Sequence, residues 1–336
     1  MIHARSPLKI LACEPARGLA ERVARSLDLP LVEAKETWFA CGEGKIEILE
    51  NVRGSDLYVF QAPVSPADDQ HTVYDRFVML LHAIEAGVLS DAQWVTAVVP
   101  YFPGARQDKR KGRTREGISA GLFARCLQEA GAHRVIAVEI HNEAIGGMFH
   151  PKECSLENLF LHKALGPWLR TKGLQGDVVA SPDVGGLERA RYYAEDLEEG
   201  LAVLSKVRDY RTPNRVIEST LIGDVKGKDV LLVDDIIDTA GSVVAAVEEL
   251  KGGGAKDVTV CCAHPVFSGP AWERLGGLAA RAEKEGWTFR VVGTSCVEHA
   301  GAPSWYLSYD IAGLLGRVIR SINRRDSVTG AQRGVE

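Results

Sequence analysis

The chain has 336 residues with 40 Lys and Arg against 45 Asp and Glu, a formal net charge of −5. This acidic balance argues against a protein that binds nucleic acid through a basic surface. No stretch holds the roughly 18 apolar residues that a membrane span needs, so we expect no membrane partner. The seven cysteines include no CxxC pair, which indicates neither a disulfide framework nor a zinc site and favours a reducing, cytoplasmic compartment.

Short apolar runs alternate with amphipathic stretches along most of the chain. The predicted strands are Leu8–Ala12, Leu57–Phe60, Val95–Val99, Val135–Ile140, Asp177–Ala180, Leu201–Leu204, Val230–Val233, Val258–Cys262 and Phe289–Val292. The predicted helices are Leu19–Leu27, Tyr74–Ala86, Ile118–Ala130, Leu156–Leu169, Leu187–Leu197, Val243–Leu250 and Ile311–Ile322. This alternation is typical of parallel sheets flanked by helices, in which ligands bind beyond the carboxyl ends of strands. The polar residues Ser327–Glu336 are predicted to be frayed.

One internal repeat is visible. Gly117–His141 aligns without a gap with Ala240–His264, and each copy reads as a helix, a Gly-Ala turn, a strand and a histidine. Any helix–glycine–strand unit resembles another to some degree, but a gapless match that ends on the same residue favours two related α/β domains. We predict one domain over residues 1–155 and a second over 156–309, with a final helix over 310–325 packing back on the first domain.

The most informative segment is VLLVDDIIDTAGS, residues 230–242. A buried strand is predicted to end at Asp234 and Asp235, whose carboxylates are suited to accept hydrogen bonds from sugar hydroxyls or to hold Mg²⁺. The loop that follows contains Asp238, Thr239, Ala240, Gly241 and Ser242. Because this loop leads into a helix, its free amides and hydroxyls favour a phosphate. An ordinary helix cap explains the loop taken alone; together with the paired carboxylates it predicts a ribose 5-phosphate site.

This segment resembles the phosphoribosyl-binding motif of the type I phosphoribosyltransferase fold, and nearly the whole chain resembles the ribose-phosphate pyrophosphokinase (PRPP synthetase) family. Seven segments in the family's order carry the resemblance: Phe39–Gln61, Pro100–Arg110, Glu139–Phe149, Ser181–Gly186, Ser205–Arg215, Ala263–Ala271 and Ser308–Val328. It implies an α/β fold of two tandem type I phosphoribosyltransferase-like domains, each a mainly parallel sheet flanked by helices. It also implies transfer of the pyrophosphoryl group of ATP to the anomeric hydroxyl of ribose 5-phosphate, with Mg²⁺, in a homo-oligomer such as a hexamer built from dimers.

The resemblance further implies a role for individual residues. Lys206 and Arg208 are the expected catalytic pair, with Arg208 also binding ribose 5-phosphate. Their spacing puts both on one face of an extended segment, and with Arg211 and Arg215 the segment would close over the phosphates as a cationic lid. Taken alone, the same residues are more often a solvated charged loop.

The remaining expected site residues fall into three groups. The ATP-binding group is Phe39, Cys41, Glu43, Arg106 and Gln107, with Phe39 and Glu43 reaching a neighbouring subunit's adenine. The pyrophosphate loop contributes Asp183, Gly185 and Gly186. The metal group is His141 and Asp183, with Glu139 as a further candidate. Without the resemblance, Phe39 reads as a core aromatic residue and His141 as an ordinary turn residue.

Three positions depart from the family's usual pattern. Glu139 stands where Asp is usual, His150 where Asp is common, and Cys41 where a carboxylate or amide is usual. These departures keep open a non-catalytic regulatory paralogue of the synthetases. The loop over residues 234–242 alone also fits a phosphoribosyltransferase that consumes PRPP. The segment with Arg106 and the intact residues Lys206 and Arg208 favour an active synthetase.

Overall fold

The computed structural model describes residues 6–66, 70–110, 112, 114–208 and 216–333, without the side chains of 206–208 and 216–219. The chain divides into two compact units. The first comprises the described parts of Met1–Phe160, Ser295–His299 and Asp310–Glu336, and the second comprises those of Leu161–Thr294 and Ala300–Tyr309. Among the described helices, each is too short or too polar to cross a bilayer.

The elements alternate along the chain as the apolar pattern predicts. The strands are β1 (Leu8–Ala12), β2 (Ala34–Trp38), β3 (Gly44–Ile48), β4 (Asp56–Phe60), β5 (Trp94–Val98), β6 (Arg134–Val138), β7 (Ser155–Leu159), β8 (Val178–Ser181), β9 (Gly200–Arg208), β10 (Val216–Ile222), β11 (Val230–Ile237), β12 (Val258–Pro265), β13 (Phe289–Thr294) and β14 (Tyr306–Tyr309). The helices are α1 (Arg17–Ser26), α2 (Val73–Leu89), α3 (Ser119–Glu129), α4 (His162–Lys172), α5 (Leu187–Leu197), α6 (Gly241–Gly252), α7 (Ala271–Glu285), α8 (Ala312–Arg324) and α9 (Val328–Gln332).

The first unit is built on a five-stranded sheet in the order β1-β4-β5-β6-β7, in which every described pair is parallel. Because helices cover both faces of such a sheet, its strands are continuous apolar runs rather than alternating ones. All five residues of β4 are buried, as this rule requires. Between β1 and β4 in the chain, β2 and β3 form a separate antiparallel hairpin.

The second unit is built on a seven-stranded sheet in the order β10-β9-β8-β11-β12-β13-β14. Its described pairs are parallel except the hairpin of β9 and β10. Strand β11 lies between β8 and β12, so the carboxyl ends of these three strands share one edge of the sheet. The segments that follow β8 and β11 are therefore neighbours, and both were predicted to bind ligand.

The two copies of the repeat have the same backbone at the turn between helix and strand. Gly131 has a φ of +95° and Gly254 a φ of +88°, a left-handed conformation that glycine adopts without steric cost. The next residues, Ala132 and Ala255, are each 3% exposed. The predicted Gly-Ala turn is therefore one structural unit that occurs twice.

The structure corrects the predicted helix over Leu156–Leu169. Its first residues belong to β7, which pairs in register with β6, and helix α4 begins only at His162. Strand β7 is a five-residue edge strand of mixed polarity. Its sequence lacks the regular alternation of polar and apolar residues that would distinguish a strand from a helix. As a result, the division between the units falls after Phe160 rather than after residue 155.

The C-terminal helices belong to the first unit. Helix α8 packs against α1, and Nδ2 of Asn323 donates hydrogen bonds to Oδ2 of Asp56, at 2.9 Å, and to the carbonyl of Ser6, at 3.0 Å. The residues expected to be frayed instead form α9 as far as Gln332, which is 4% exposed. Oε1 of Gln332 accepts a hydrogen bond from the Phe160 amide at 3.1 Å, and this contact holds α9 in place.

Candidate active site

The paired aspartates lie within β11 rather than after it. The strand continues beyond Val233 because its ladder with β12 runs to Ile237. Asp235 is 5% exposed, and Asp234, which is half-buried, accepts a hydrogen bond from the Asp235 amide at 2.9 Å. Burial and the neighbouring Asp235 carboxylate raise the pKa of Asp234 well above its usual range. The pair therefore presents negative charge that a cation or a hydrogen-bond donor can stabilise.

Arg189, in the first turn of α5, provides part of that stabilisation. Its Nη1 lies 3.7 Å from Oδ1 of Asp235, and its side chain is 14% exposed. The guanidinium charge opposes the rise in the pKa of Asp234. The same nitrogen lies 3.8 Å from the position that a Cβ on Gly186 would take. Sequence reasoning missed Arg189, because one arginine among the charged residues of a helix carries no distinctive signal.

The segment after β8 forms a tight turn that leads into α5. The amide of Gly186 donates to Oδ1 of Asp183 at 3.0 Å, and Oγ of Ser181 donates to the Asp183 carbonyl at 2.7 Å. A Cβ on Gly186 would lie 2.8 Å from Oγ of Ser181, so this turn has no room for a side chain there. Asp183, Gly185 and Gly186 thus lie in one turn at the carboxyl end of β8.

The segment after β11, Asp238–Ser242, is called the phosphate loop from here on. Helix α6 begins at Gly241, and the preceding Ala240 has a φ of +61° with no side-chain hydrogen bond to the helix N-terminus. Alanine has no side-chain acceptor, so the residue at the N-cap position is not an ordinary helix cap. Thr239, Gly241 and Ser242 are exposed. An uncapped helix N-terminus with exposed hydroxyls has the polarity that a phosphate requires.

A side chain from α7 contacts the phosphate loop. Nη1 of Arg274 donates a hydrogen bond to the carbonyl of Thr239 at 2.8 Å. The residues are 35 positions apart in the chain, so sequence spacing gives no indication of the contact. Arg274 lies just beyond Ala263–Ala271, a segment that carried part of the family resemblance.

In the first unit, the residues expected to bind ATP lie in the connection from β5 to α3. Arg106 and Gln107 are exposed, and Oε1 of Gln107 accepts a hydrogen bond from Oγ of Ser119 at 2.5 Å. This bond joins the middle of the connection to the first residue of α3. Phe102 and Ala105, at 2% and 6% exposed, anchor the same connection in the core.

The connection after β6 lies beside the ATP segment. Nδ2 of Asn142 donates a hydrogen bond to Oδ2 of Asp108, and Oδ1 of Asn142 accepts one from the Ala144 amide at 3.0 Å. Asn142 therefore joins two segments that the sequence analysis had treated separately. Its neighbour His141 is exposed, whereas Glu139 is 7% exposed with a φ of +45°. The role of Asn142 was not predicted, although asparagine is a common residue at helix starts.

The hairpin tip brings Phe39, Cys41 and Glu43 together. The Phe39 amide donates to the Glu43 carbonyl at 2.8 Å, and the Gly42 amide donates to the Phe39 carbonyl at 2.9 Å. Phe39 is 49% exposed, so the alternative that made it a core aromatic residue is wrong for this unit. An exposed phenylalanine in the same tip as an exposed thiol and an exposed carboxylate provides a surface on which an aromatic ligand can stack.

The predicted catalytic segment begins as a strand rather than a loop. Lys206 and Arg208 lie two residues apart in β9, opposite Ser219 and Val216 of β10. The register shifts between Val216 and Glu218, so the ladder is irregular beside Arg208. The predicted lid residues Arg211 and Arg215 lie outside the described residues.

Comparisons with known proteins identify the family. Residues 8–131 match the model of the N-terminal domain of ribose phosphate pyrophosphokinase, and residues 163–297 match that of a phosphoribosyl transferase domain. A ribose-phosphate pyrophosphokinase of Wolinella succinogenes is 37% identical over 306 residues, which are 91% of this chain and 93% of that protein. One from Bacillus subtilis is 39% identical over 268 residues, 80% of this chain and 81% of that protein. This chain belongs to the ribose-phosphate pyrophosphokinase family.

The fold agrees with that membership. The crystal structure of phosphoribosylpyrophosphate synthetase from Mycobacterium smegmatis matches with a TM-score of 0.82 at 33% identity, covering 95% of this chain and 99% of that chain. The predicted fold class, two tandem phosphoribosyltransferase-like domains with mainly parallel sheets flanked by helices, is confirmed. The prediction that the chain is an enzyme of this family is confirmed as well.

The residues present are compatible with the Mg²⁺ that the family resemblance implies. In the described part of the chain, no three His, Cys, Asp or Glu side chains group closely enough to enclose a metal ion. Mg²⁺ is commonly held by one or two carboxylates together with substrate phosphates and water. Asp183 fits such a site, because its Oδ1 serves the Gly186 turn and its second oxygen remains for a cation. His141 and Glu139 supply a nitrogen and an oxygen donor after β6.

Proposed function

We propose that this protein synthesises PRPP by transferring the pyrophosphoryl group of ATP to the anomeric hydroxyl of ribose 5-phosphate, with release of AMP. The proposal rests on the residues at the carboxyl edge of the second unit's sheet. There the paired carboxylates of β11 directly precede an uncapped helix N-terminus with exposed hydroxyls. A phosphorylated pentose needs both groups a few ångströms apart.

The acceptor's two ends use different chemistry. Asp234 and Asp235 accept hydrogen bonds from the ring hydroxyls, and Arg189 keeps negative charge on the pair. The amides of the phosphate loop and the hydroxyls of Thr239 and Ser242 bind the 5-phosphate. This arrangement fixes the orientation of the anomeric hydroxyl, and fixed orientation accounts for much of the rate enhancement in phosphoryl transfer.

The transfer step requires alignment and positive charge. The anomeric oxygen attacks the β-phosphorus of ATP, the bond from that phosphorus to the oxygen of the α-phosphate breaks, and AMP leaves while the hydroxyl proton passes to solvent. Negative charge spreads over the transferred group as the bond breaks. Lys206 and Arg208 stabilise this charge, and the Gly185 and Gly186 amides bind the pyrophosphate. Asp183, His141 and Glu139 would hold Mg²⁺, which would offset the charge of the phosphates.

The nucleotide is bound by residues of the first unit. Arg106 supplies positive charge to the ATP phosphates, and Gln107, held by Ser119, supplies an amide. Phe39 stacks on the adenine bound by a neighbouring subunit, with Cys41 and Glu43 at its polar edge. The exposed hairpin tip supports this role. A site shared between subunits requires a homo-oligomer, which we propose to be a hexamer built from dimers, in the cytoplasm.

A single assay tests the proposed function. Purified protein incubated with ribose 5-phosphate, ATP and Mg²⁺ is expected to form AMP and PRPP in equal amounts. Absence of both products under varied divalent metals would contradict it. Turnover only after addition of another synthetase would indicate a regulatory paralogue, and PRPP-dependent consumption of a nucleobase would indicate a transferase. Sedimentation velocity with wild type and Phe39→Ala tests the oligomer and the shared site together.

A further inference from the structure

The phosphate loop contains a backbone conformation that its own residues do not favour. Ala240 has a φ of +61° and a ψ of 4°, a left-handed conformation in which its Cβ lies close to the carbonyl oxygen that follows. A non-glycine residue remains in this conformation only where surrounding contacts hold it. The conformation has a use, because it turns the chain from β11 into α6 and, within the described part of the chain, leaves the start of the helix without a side-chain cap from Ala240.

The hydrogen bond from Arg274 is the contact that fixes this turn from outside. Its Nη1 donates to the carbonyl of Thr239, the residue immediately before Ala240. The same nitrogen lies 3.4 Å from the position that a Cβ on Gly241 would take, immediately after Ala240. The guanidinium therefore contacts both sides of the strained residue. Ala240 itself is 4% exposed and packs in the core.

The helix backbone that carries Arg274 is fixed by the start of α7, whereas the Arg274 side chain itself is exposed. Ala271 and Leu275 on either side of it in the helix are fully buried. Trp272 contacts Phe267, with ring centroids 4.7 Å apart, and Phe267 donates its amide to the Ile237 carbonyl at the end of β11. The helix turn that carries Arg274 is thus connected, through Trp272 and Phe267, to the same strand that leads into the phosphate loop.

The charge of Arg274 has no acidic partner in the described part of the chain. A guanidinium has five donors in a fixed fork, and the Thr239 carbonyl uses one of them. Arg281, two turns later on the same helix, is instead paired with Glu285 at 3.0 Å and Glu248 at 3.5 Å. Arg281 therefore has acidic partners, whereas Arg274, which lies beside the phosphate loop, has none among the described residues.

We propose that Arg274 is a positioning residue for the phosphate loop, and that through this loop it sets the enzyme's preference for phosphorylated over unphosphorylated pentose. The inference deepens the proposed function and rests on it for the identity of the sugar. Arg274 holds the Thr239 carbonyl away from the phosphate position so that the amides of α6 face it. Its unneutralised charge adds to the positive potential there.

Steady-state kinetics of Arg274→Gln, Arg274→Lys and the control Arg281→Gln test the proposal. For Arg274→Gln we expect the KM for ribose 5-phosphate to rise about tenfold, as the loss of one charge-assisted hydrogen bond predicts. The KM for ATP and kcat should change less than about twofold. Arg274→Lys should recover part of the loss, because it keeps the charge and one donor, and Arg281→Gln should behave as wild type. Equal changes in both KM values, or none, would overturn the proposal.

A binding measurement separates failure of this inference from failure of the proposed function. The melting temperature is measured with ribose 5-phosphate and with ribose, since a ligand of the folded state raises it in proportion to its affinity. In wild type we expect ribose 5-phosphate to give the larger shift, and in Arg274→Gln the two sugars should give similar shifts. If wild type makes no PRPP, the proposed function fails while this comparison still stands. A variant that retains the wild-type difference between the sugars refutes the inference.

Discussion

The two copies of the repeat begin alike and end differently. In the first unit β6 stops at Val138, so His141 lies in an exposed connection. In the second unit β12 continues to Pro265, so His264 lies inside the sheet at 4% exposed. The same residue in the same repeat position is therefore available to a ligand in one copy and is part of the core in the other. The length of the hydrogen-bonded ladder decides this, and the local sequence does not.

The helix starts of the two copies differ in a second way. Residues 99–118 connect β5 to α3, and only residues 238–240 connect β11 to α6. The short connection leaves few residues for side-chain contacts, so the proposed ligand contacts of the phosphate loop are mainly its amides. The long connection positions side chains such as Arg106 and Gln107. In the proposed function, the short connection serves the sugar phosphate and the long connection serves the nucleotide.

The largest effect is expected for Lys206→Ala. This change removes the positive charge that is proposed to stabilise the transferred pyrophosphoryl group and leaves the residues of both substrate sites in place. We expect kcat to fall about 10²- to 10³-fold, because the charge acts mainly as the transition state forms. Both KM values should change little. Lys226→Ala, an exposed lysine of the same unit, is the control. A rise in the KM for one substrate with unchanged kcat would contradict this role, because it would show that Lys206 only binds that substrate in the ground state.

The next effect is expected for Asp234→Asn, which tests the sugar site of the second unit. The KM for ribose 5-phosphate should rise about tenfold through weaker acceptance from its hydroxyls, while the KM for ATP stays constant. Asp224→Asn, on an exposed turn with Lys228, is the matched control. An unchanged KM for ribose 5-phosphate would remove the carboxylates from the sugar site.

The same variant should be more stable than wild type at neutral pH. The folded-state pKa of Asp234 is raised by burial and by Asp235, so the folded protein binds a proton more readily than the unfolded chain. Stability from this group is therefore lost as pH rises above the ordinary aspartate range. We expect Asp234→Asn to raise the melting temperature at pH 7 by about 2–4 °C, and the difference to vanish near pH 3. A lower melting temperature at pH 7 would contradict the sign.

A smaller effect is expected for Asn142→Ala, which tests the nucleotide site of the first unit. Without its hydrogen bond to Asp108 the two connections separate, and the KM for ATP should rise about fivefold, the size of one hydrogen bond of about 1 kcal/mol. The KM for ribose 5-phosphate should not change. The control is Asn51→Ala, whose side chain accepts a hydrogen bond from the Arg53 amide in an exposed turn. Effects on both substrates would show that the two sites are not separable.

The smallest effect is expected for Glu199→Gln, at the amino end of β9 and thus away from the ligand edge. Burial, with the nearby charge of Asp177, raises the pKa of Glu199 to about 7. Wild-type stability should therefore fall, relative to the variant, as pH rises from the ordinary glutamate range to about 7. We expect the variant to melt about 3 °C higher at pH 8, with unchanged kinetics. Altered kinetics would extend the functional region to this end of the sheet.

The sequence predicted what depends on local composition. Buried parallel strands are apolar runs, and the structure has strands at the predicted apolar runs. The Asp-Asp pair before a Thr-Ala-Gly-Ser turn has few alternative explanations, and the ligand site at this edge stays a prediction. The hairpin of β2 and β3 was placed only by family resemblance. Its strands are half-buried and mixed in polarity, and such short segments carry no clear periodicity.

What the sequence did not predict depends on distant contacts. Strand β7 forms because β6 offers it a ladder, and α9 is ordered because Gln332 meets the Phe160 amide. Arg189 and Arg274 are ordinary helical arginines until the fold brings them to Asp235 and Thr239. Asn142 acquires its role in the same way, from Asp108 in another connection. Each is a tertiary contact that no window of neighbouring residues contains.

The contact of Asn323 with Asp56 has a consequence for biosynthesis. The strand that carries Asp56 leaves the ribosome early, but its buried carboxylate receives this hydrogen bond only from a helix made nearly 270 residues later. Domains generally fold as units in the order of their synthesis, and here the order is inverted. The residues of the second unit are synthesised before α8, so α1 lacks the helix that packs against it until the end of synthesis.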